Sequence, residues 1–87
     1  MPVVWIPALL RGLTHGQETV TVAGATVGQI VDNLEQLFPG IRQRLCDGAG
    51  LRSGMAAAVD TQIARLGLAQ PVKETSEVHF IPAIGGG

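Results

Sequence analysis

The sequence predicts a small two-layer α+β domain, in which one main helix packs on one face of a sheet of four to five strands. Residues 18–22 alternate polar and apolar side chains, as a half-buried strand does. Residues 77–81 form another β-favouring run near the end of the chain. Between them lies one apolar stripe with helical spacing, made of Val27, Ile30, Val31, Leu34 and Leu37. A single stripe is buried by a single sheet face, which gives two layers.

The N-terminal part of the chain is predicted to form a β-hairpin. Residues 3–6 are a short β-favouring run that Pro7 closes. Residues 8–17 are interpreted as a loose connection to the strand over 18–22. Side chains two residues apart on a strand share a face, so we expect one such set to point toward the helix. That set is Val4, Ile6, Val20, Val22, Val78 and Phe80.

The helix is predicted to begin after Thr26 and to end at Pro39-Gly40. Thr26 stands three residues before Gln29, which is the spacing of a capping box. A proline followed by a glycine is a strong signal for the end of a helix. Residues 41–45 can form one further helical turn.

The middle of the chain carries weaker signals. Residues 47–54 are rich in glycine and are interpreted as a flexible loop. Residues 55–59 favour a strand, although their alanines weaken the pattern, and residues 60–62 form a turn. Residues 63–72 are left unassigned, because a glycine and a proline interrupt any long element.

Composition limits the classes of function. Eighty-seven residues make one domain, and a net charge of −1 without a basic cluster argues against nucleic-acid binding. No apolar run approaches the roughly 20 residues that a membrane span needs, and no signal peptide precedes the first strand. The single cysteine, Cys46, excludes an internal disulfide. We therefore expect a cytoplasmic protein with no nucleic-acid or membrane partner.

The other reactive side chains form no recognisable catalytic or metal-binding pattern. His15 and His79 are interpreted as ordinary surface histidines, because no Ser or Cys motif accompanies them. Cys46 is interpreted as a small buried residue rather than a persulfide relay. Asp32 and Glu35 are interpreted as solvated residues on the polar helix face. Four arginines are interpreted as solubilising charge rather than as a contact for an acidic partner: Arg42, Arg44, Arg52 and Arg65.

The C-terminal end carries the most informative motif of the chain. Pro82 closes the last strand and is followed by Ala83, Ile84, Gly85, Gly86 and Gly87. We divide the chain into a domain over 1–83 and a flexible tail over 84–87. Glycine has no side chain, so such a tail can enter a narrow channel and present the carboxylate of Gly87 to a partner.

Several segments together resemble a known family. They are IPALLR at 6–11, GATVG at 24–28, LE at 34–35, FPGI and RL within 38–45, and VHFIPAIGGG at 78–87. With its final Gly-Gly, the chain resembles the ThiS/MoaD sulfur-carrier proteins and is most similar to their cysteine-biosynthesis group, the CysO type. The resemblance covers 3–45 and 77–87. Two features depart from the family pattern, namely the third glycine, Gly85, and the polar turn at 73–76.

The resemblance implies the ubiquitin-like β-grasp fold, a mixed sheet whose first and last strands run parallel in the middle. It implies a protein substrate and not an enzyme. An E1-like adenylyltransferase/sulfurtransferase would adenylylate the Gly87 carboxylate with ATP, and a sulfur source would convert it to a thiocarboxylate. A downstream biosynthetic enzyme would accept the sulfur, and a metalloprotease is a further candidate partner that trims or releases the C-terminus. The chain has no P-loop or dinucleotide motif, so we expect no stably bound cofactor.

The last strand and its neighbour are the predicted contact surface for these partners. If Val78 and Phe80 face the helix, then Trp5, His79 and Ile81 face the other way and form an apolar patch that leads to the tail. Pro82 and Ile84 are expected to extend this partner-binding surface. The narrow passage through a partner would then be filled by Gly85 and Gly86, with Gly87 at the reacting centre.

Three alternatives stay open at this point. The sulfur acceptor can belong to cysteine synthesis, to a specialised sulfur metabolite, to thiamine synthesis or to molybdopterin, where the chain would be the synthase small subunit. A protein of a different class, a ubiquitin-like modifier that forms isopeptide bonds, would use the same tail and the same activation. A plain interaction module would need neither Gly86 nor Gly87.

Overall fold

The computed structural model describes residues 1–48 and 50–82 and contains a five-stranded mixed sheet with one long helix on one face. The strands are β1 (Val3–Trp5), β2 (Thr19–Thr21), β3 (Cys46–Asp47), β4 (Gly50–Leu51), β5 (Met55–Val59), β6 (Gln62–Ile63) and β7 (Glu77–Pro82). The main sheet has the order β2-β1-β7-β5-β6, and β3 pairs with β4 separately. β1 and β7 are parallel central neighbours, whereas the other pairs are antiparallel. The predicted β-grasp fold is therefore confirmed.

The core lies between the inner face of the sheet and the helix. Val4 pairs with Val20 on one side and with Val78 on the other, so three buried valines form one row across the sheet. All six strand residues expected to face the helix are buried, which confirms the predicted register. Burying apolar area of this kind is the main stabilising contribution to a small domain.

The helix α1 (Val27–Leu37) begins at the predicted cap. The Oγ1 atom of Thr26 accepts a hydrogen bond from the Gln29 backbone N–H at 3.2 Å, and the Gln29 side chain accepts one from the Ala25 N–H at 2.8 Å. The reciprocal bond thus reaches one residue further back than in the standard capping box. No helix in residues 1–48 or 50–82 is long and apolar enough to cross a membrane.

The C-terminal end of the apolar stripe differs from the prediction. Leu37 is 56% exposed, and the buried residue at this level is Phe38. Successive residues of a helix are rotated by 100°, and Phe38 follows Leu34 by four residues. Its side chain therefore lies closer to the centre of the apolar stripe than that of Leu37 does. The prediction that Leu37 belongs to the core is therefore wrong, and Phe38 takes its place.

The turn after α1 is fixed by a carboxylate. Gly40 has a φ of 101°, a left-handed conformation that favours glycine, and it precedes α2 (Ile41–Leu45). The Glu35 side chain accepts hydrogen bonds from the backbone N–H groups of Gly40, at 3.0 Å, and Arg42, at 2.8 Å. These two bonds lower the pKa of Glu35. Glu35 is thus a structural cap and not simply a solvated side chain.

The middle of the chain forms more structure than its sequence predicts. The expected loop over 47–54 contains most of the short hairpin of β3 and β4, while the strand predicted over 55–59 is confirmed as β5. The unassigned region over 63–72 starts with the end of β6 and contains a single 3₁₀ turn, Gly67–Ala69. A side-chain Cβ at Gly28 would lie 3.1 Å from the Leu68 carbonyl oxygen, so α1 packs closely against this turn.

The turn that joins β5 to β6 is tied to the start of β7 by Asp60. The Asp60 carboxylate accepts hydrogen bonds from the Glu77 N–H at 2.9 Å and from the Ser76 hydroxyl at 2.7 Å. The Ser76 oxygen in turn accepts the Lys73 N–H at 2.9 Å. Asp60 and the next residue, Thr61, both have positive φ values, of 50° and 71°. The Asp60 cluster therefore holds a tight turn against the central strand.

Candidate partner-binding surface and tail attachment

Trp5 and His79 form a stacked pair on the outer face of the sheet. They are paired residues of the parallel strands β1 and β7, so their side chains leave the sheet side by side. Their ring centroids lie 5.2 Å apart with the planes inclined by 8°. The Trp5 Nε1–H donates a hydrogen bond of 3.0 Å to the Glu77 carboxylate, which fixes the indole across two strands.

Ile81 extends the stacked pair toward the end of β7. It lies two residues after His79 on the same strand and therefore on the same face of the sheet. Trp5 and Ile81 are 38% and 37% exposed, and His79 is half-buried. The structure thus places the three predicted surface residues on one face, with the first two in direct contact. We call Trp5, His79 and Ile81 the outer patch.

The outer face contains a further apolar residue, Ile63, for which the sequence pattern predicts no element. His79 pairs with Ala58 on β5, and Ala58 pairs with Ile63 on β6. The row of paired residues therefore runs from Trp5 to Ile63, which is 57% exposed. Ile63 follows the turn at 60–62 directly, and a β-hairpin prediction for that turn would have identified it as a strand residue.

The tail is attached next to the outer patch. β7 ends at Pro82, which pairs with Met55, the first residue of β5. Residues 83–87 lie outside the described residues, so the predictions for Ile84, Gly85, Gly86 and Gly87 remain predictions. Five residues follow Pro82, and in an extended conformation they would reach roughly 17 Å from it, at about 3.3–3.6 Å per residue.

The other candidate reactive residues, His15, Asp32 and Cys46, make contacts within the domain. His15 is exposed and lies against Phe38, with ring centroids 6.0 Å apart, whereas His79 stacks on Trp5 on the outer face of the sheet. Asp32 forms an ion pair with Arg42. Cys46 is buried, and this burial raises the pKa of its thiol, which disfavours the reactive thiolate. Within residues 1–48 and 50–82, no group of three or more His, Cys, Asp or Glu residues is arranged to hold a metal ion.

Comparison with known proteins gives a family match over almost the whole chain. The ThiS family model matches residues 4–87. Sulfur carrier protein CysO of Mycobacterium tuberculosis, strain H37Rv, is 34% identical over 89 aligned positions, which cover 97% of this chain and 96% of that protein. The Mycobacterium bovis protein of the same name matches equally well.

Solved structures give the same result at the level of the fold. A chain of the Amycolatopsis orientalis BexX/CysO complex superposes with a TM-score of 0.91 at 34% identity, covering 100% of both chains. Mycobacterium tuberculosis CysO superposes with a TM-score of 0.89 at 31% identity, over 97% of this chain and 100% of that one. Small archaeal modifier protein 1 of Methanosarcina acetivorans, with a TM-score of 0.80 at 19% identity over 99% and 95% of the two chains, shares the fold.

Proposed function

This chain belongs to the ThiS family of sulfur carriers, and we propose that it carries sulfur as a thiocarboxylate on Gly87. Proteins of this type are small carriers and not catalysts. A carrier needs a reactive group, a surface by which partners recognise it, and a connection that lets the group reach a partner's active site. Gly87, the outer patch and the glycine tail would fill these three roles.

The proposed chemistry has two steps on the Gly87 carboxylate. A carboxylate is a poor electrophile at neutral pH, so it must first be activated. An E1-like partner would transfer AMP from ATP to the carboxylate and release pyrophosphate. A sulfur nucleophile, either sulfide or a persulfide that is later reduced, would then displace AMP and leave the thiocarboxylate. The dependence on ATP supports a cytoplasmic location.

The position of the outer patch supports this proposal most directly. β7 runs from His79 and Ile81 straight to Pro82, and only the tail separates the patch from the reacting group. A partner that binds the patch would therefore hold the tail at a defined starting point. Binding at a fixed distance restricts the orientations available to the carboxylate and raises its effective concentration at the partner's active site.

Two kinds of partner are expected at this surface. The first is the activating enzyme, and the second is the biosynthetic enzyme that accepts the sulfur, in cysteine synthesis or in the synthesis of a specialised sulfur metabolite. A solved CysO complex with a protein named BexX supports the idea that carriers of this kind bind partner proteins. If further residues follow Gly87 in the primary product, a metalloprotease would have to expose it.

Intact-mass analysis tests the proposal. The protein is incubated with the adenylyltransferase of the same organism, ATP and sulfide, and the wild type should exchange one oxygen for one sulfur. A variant lacking Gly87 should show no exchange, because its carboxylate would stop about 3.3–3.6 Å short of the reacting atoms. Gly86→Val should block the same reaction without lowering the melting temperature, because a side chain would widen the tail within the channel.

The controls separate this proposal from its alternatives. Equal loading of the shortened chain would contradict the assignment of Gly87. The absence of any loading of the wild type would contradict the thiocarboxylate mechanism. Isopeptide conjugates of high mass in a cell lysate, lost when Gly87 is removed, would indicate a protein modifier instead.

A further inference from the structure

A groove lies at the end of the molecule where the tail is attached. Its volume is about 810 Å³, and its lining includes Leu9, Leu10, Arg44, Arg52, Met55 and Phe80. Met55 pairs with Pro82, the last described residue before the tail. The groove is distinct from the outer patch, because Phe80 points to the inner face of the sheet and His79 to the outer face. We call it the exit groove.

Among the described residues, the charged side chains that line the exit groove are both positive. They are Arg44 and Arg52, and the described part of the lining contains no Asp or Glu. Within residues 1–48 and 50–82 neither guanidinium takes part in an ion pair, whereas nearby Arg42 is paired with Asp32. The Arg52 guanidinium donates one hydrogen bond, of 3.0 Å, from Nη1 to the Gln43 carbonyl, which holds this charged group in place. Two guanidinium groups on one groove favour an anionic occupant.

The opposite wall of the exit groove is apolar and is unusually exposed at one point. Leu9 is 97% exposed, although it lies in a short 3₁₀ turn, Ala8–Leu10, whose end is fixed by the Leu10 N–H to Pro7 carbonyl bond of 2.9 Å. Leu10 is buried and anchors this turn in the core. The turn thus presents Leu9 to solvent beside the arginines. Leu9 lines the same groove as Met55 and Phe80, and a continuous apolar wall of this kind beside charged residues is typical of a protein-interaction site.

We propose that the exit groove binds a partner-protein segment in which a large apolar side chain is flanked by Asp or Glu residues. The apolar side chain would pack against Leu9 and Met55, and the carboxylates would pair with Arg44 and Arg52, which offer two-pronged hydrogen bonds to such groups. The proposal commits to a protein segment because a free anion would leave the apolar wall uncovered. If the proposed function holds, the partner is the protein that receives the tail.

A random 12-residue peptide library displayed on phage tests the groove independently of sulfur loading. Phage that bind the wild type are selected, and those that also bind the double charge reversal Arg44→Glu/Arg52→Glu are removed. The enriched peptides should carry Asp or Glu beside Leu, Phe or Trp. A synthetic peptide of the enriched sequence should bind the double reversal and Leu9→Ser at least about tenfold more weakly than the wild type. Arg65→Glu, a reversal outside the groove, should bind it within about twofold.

Salt dependence provides a second readout that a loss of structure would not imitate. Affinity of the peptide for the wild type should fall between 0.1 M and 1 M NaCl, because the screening length shortens from about 10 Å to about 3 Å. Circular dichroism should show all three variants folded, since the substituted side chains are exposed. Enriched peptides without acidic residues, or equal binding by the double reversal, would overturn the proposal.

The loading reaction then identifies the partner. With the adenylyltransferase, the double reversal should raise KM for the carrier roughly tenfold and leave kcat nearly unchanged, because it weakens docking and not chemistry. Normal loading with an unchanged KM would overturn the assignment to this partner while the proposed function stands. Failure of the wild type to load would overturn the proposed function, and the peptide selection would still show whether the groove binds an acidic and apolar segment.

A second copy of the chain is the other possible occupant of the groove. Self-association of the wild type that the double reversal abolishes would identify this occupant and overturn the proposal.

Discussion

β7 presents Val78 and Phe80 to the helix and His79 and Ile81 to the outside of the sheet. The first two residues are buried, whereas Ile81 is exposed and His79 half-buried. Ile81 is as apolar as Val78, so hydrophobicity alone does not explain why one is exposed and the other buried. The inner residues are covered by α1 and determine stability. The outer residues have no covering element among the described residues, and the strand leads from them to the tail. One central strand thus contributes residues both to the core and to the proposed docking surface.

The largest expected effects are losses of stability on the inner side of this comparison. Ile30→Ala removes a fully buried side chain opposite the sheet and should lower the free energy of unfolding by about 2–5 kcal/mol. Urea denaturation followed by circular dichroism measures it. Ile81→Ala, on the outer face of the sheet, is the matched control and should lower stability less than Ile30→Ala does, because Ile81 is 37% exposed. A similar loss in both variants would contradict the division between the two faces.

The outer side of the comparison is tested by binding. Trp5→Ala should weaken binding to the activating enzyme by about 2 kcal/mol or more, as expected for an aromatic anchor. Ile81→Asp should weaken it as well, because it introduces a charge into an apolar contact. Isothermal titration calorimetry gives the affinities, and thermal melts should show both variants folded. Unchanged affinity in both would reject the outer patch as a docking surface.

The Asp60 cluster, which consists of Asp60, Lys73, Ser76 and Glu77, makes the stability of the domain depend on pH. Hydrogen bonds from the Glu77 N–H and the Ser76 hydroxyl lower the pKa of Asp60 below its ordinary value of 3.8. Because the pKa of Asp60 is lower in the folded state, the stabilisation is complete above the ordinary pKa of 3.8. It is lost as the pH falls below 3.8 and through the lowered pKa. The lowered pKa of Glu35 acts in the same direction.

Asp60→Asn should therefore reduce stability at neutral pH and reduce the loss of stability on acidification. The amide still accepts one hydrogen bond, so the variant should fold. The free energy of unfolding measured from pH 7 down to about pH 2 checks this prediction, because the loss occurs as the pH falls below 3.8. Parallel curves for the wild type and the variant would show that the Asp60 cluster makes no contribution to the pH dependence.

The smallest effect is expected for Leu37, at the exposed end of the apolar stripe, and its buried neighbour Phe38 serves as the comparison. Leu37→Ser should change the free energy of unfolding by no more than about 0.5 kcal/mol, because Leu37 is largely exposed. Phe38→Ala, one residue further, should cost about 3–5 kcal/mol. Thermal denaturation of the two variants compares them directly. A larger loss of stability in Leu37→Ser would show that Leu37 contributes to the core.

The sequence predicts those parts of the fold in which local pattern and tertiary contacts agree. Val20 and Val22 alternate with polar residues and are buried as expected. The cap at Thr26 depends on residues close in sequence, and it forms as predicted. The end of α1 is different, because the choice between Leu37 and Phe38 depends on which side chain reaches the core.

The features that the sequence did not predict depend on long-range contacts. β3 and β4 have two residues each, too few for a recognisable alternation. Ile63 belongs to the outer row only because β6 pairs with β5, and the exit groove combines residues from distant segments of the chain. The four arginines look alike in sequence, but the fold places Arg44 and Arg52 together and gives Arg42 an acidic partner.

The parallel pairing of β1 with β7 has a consequence for biosynthesis. Trp5 and Glu77 are joined by a hydrogen bond across 72 positions of the chain, and the outer patch exists only when both strands are in place. The ribosome produces β1 well before β7, so the centre of the sheet stays open until residue 82 has emerged. Such long-range pairing forms late in folding. A partner that recognises Trp5 stacked on His79 would thereby select chains in which β7 has paired with β1 and ignore nascent chains that lack β7.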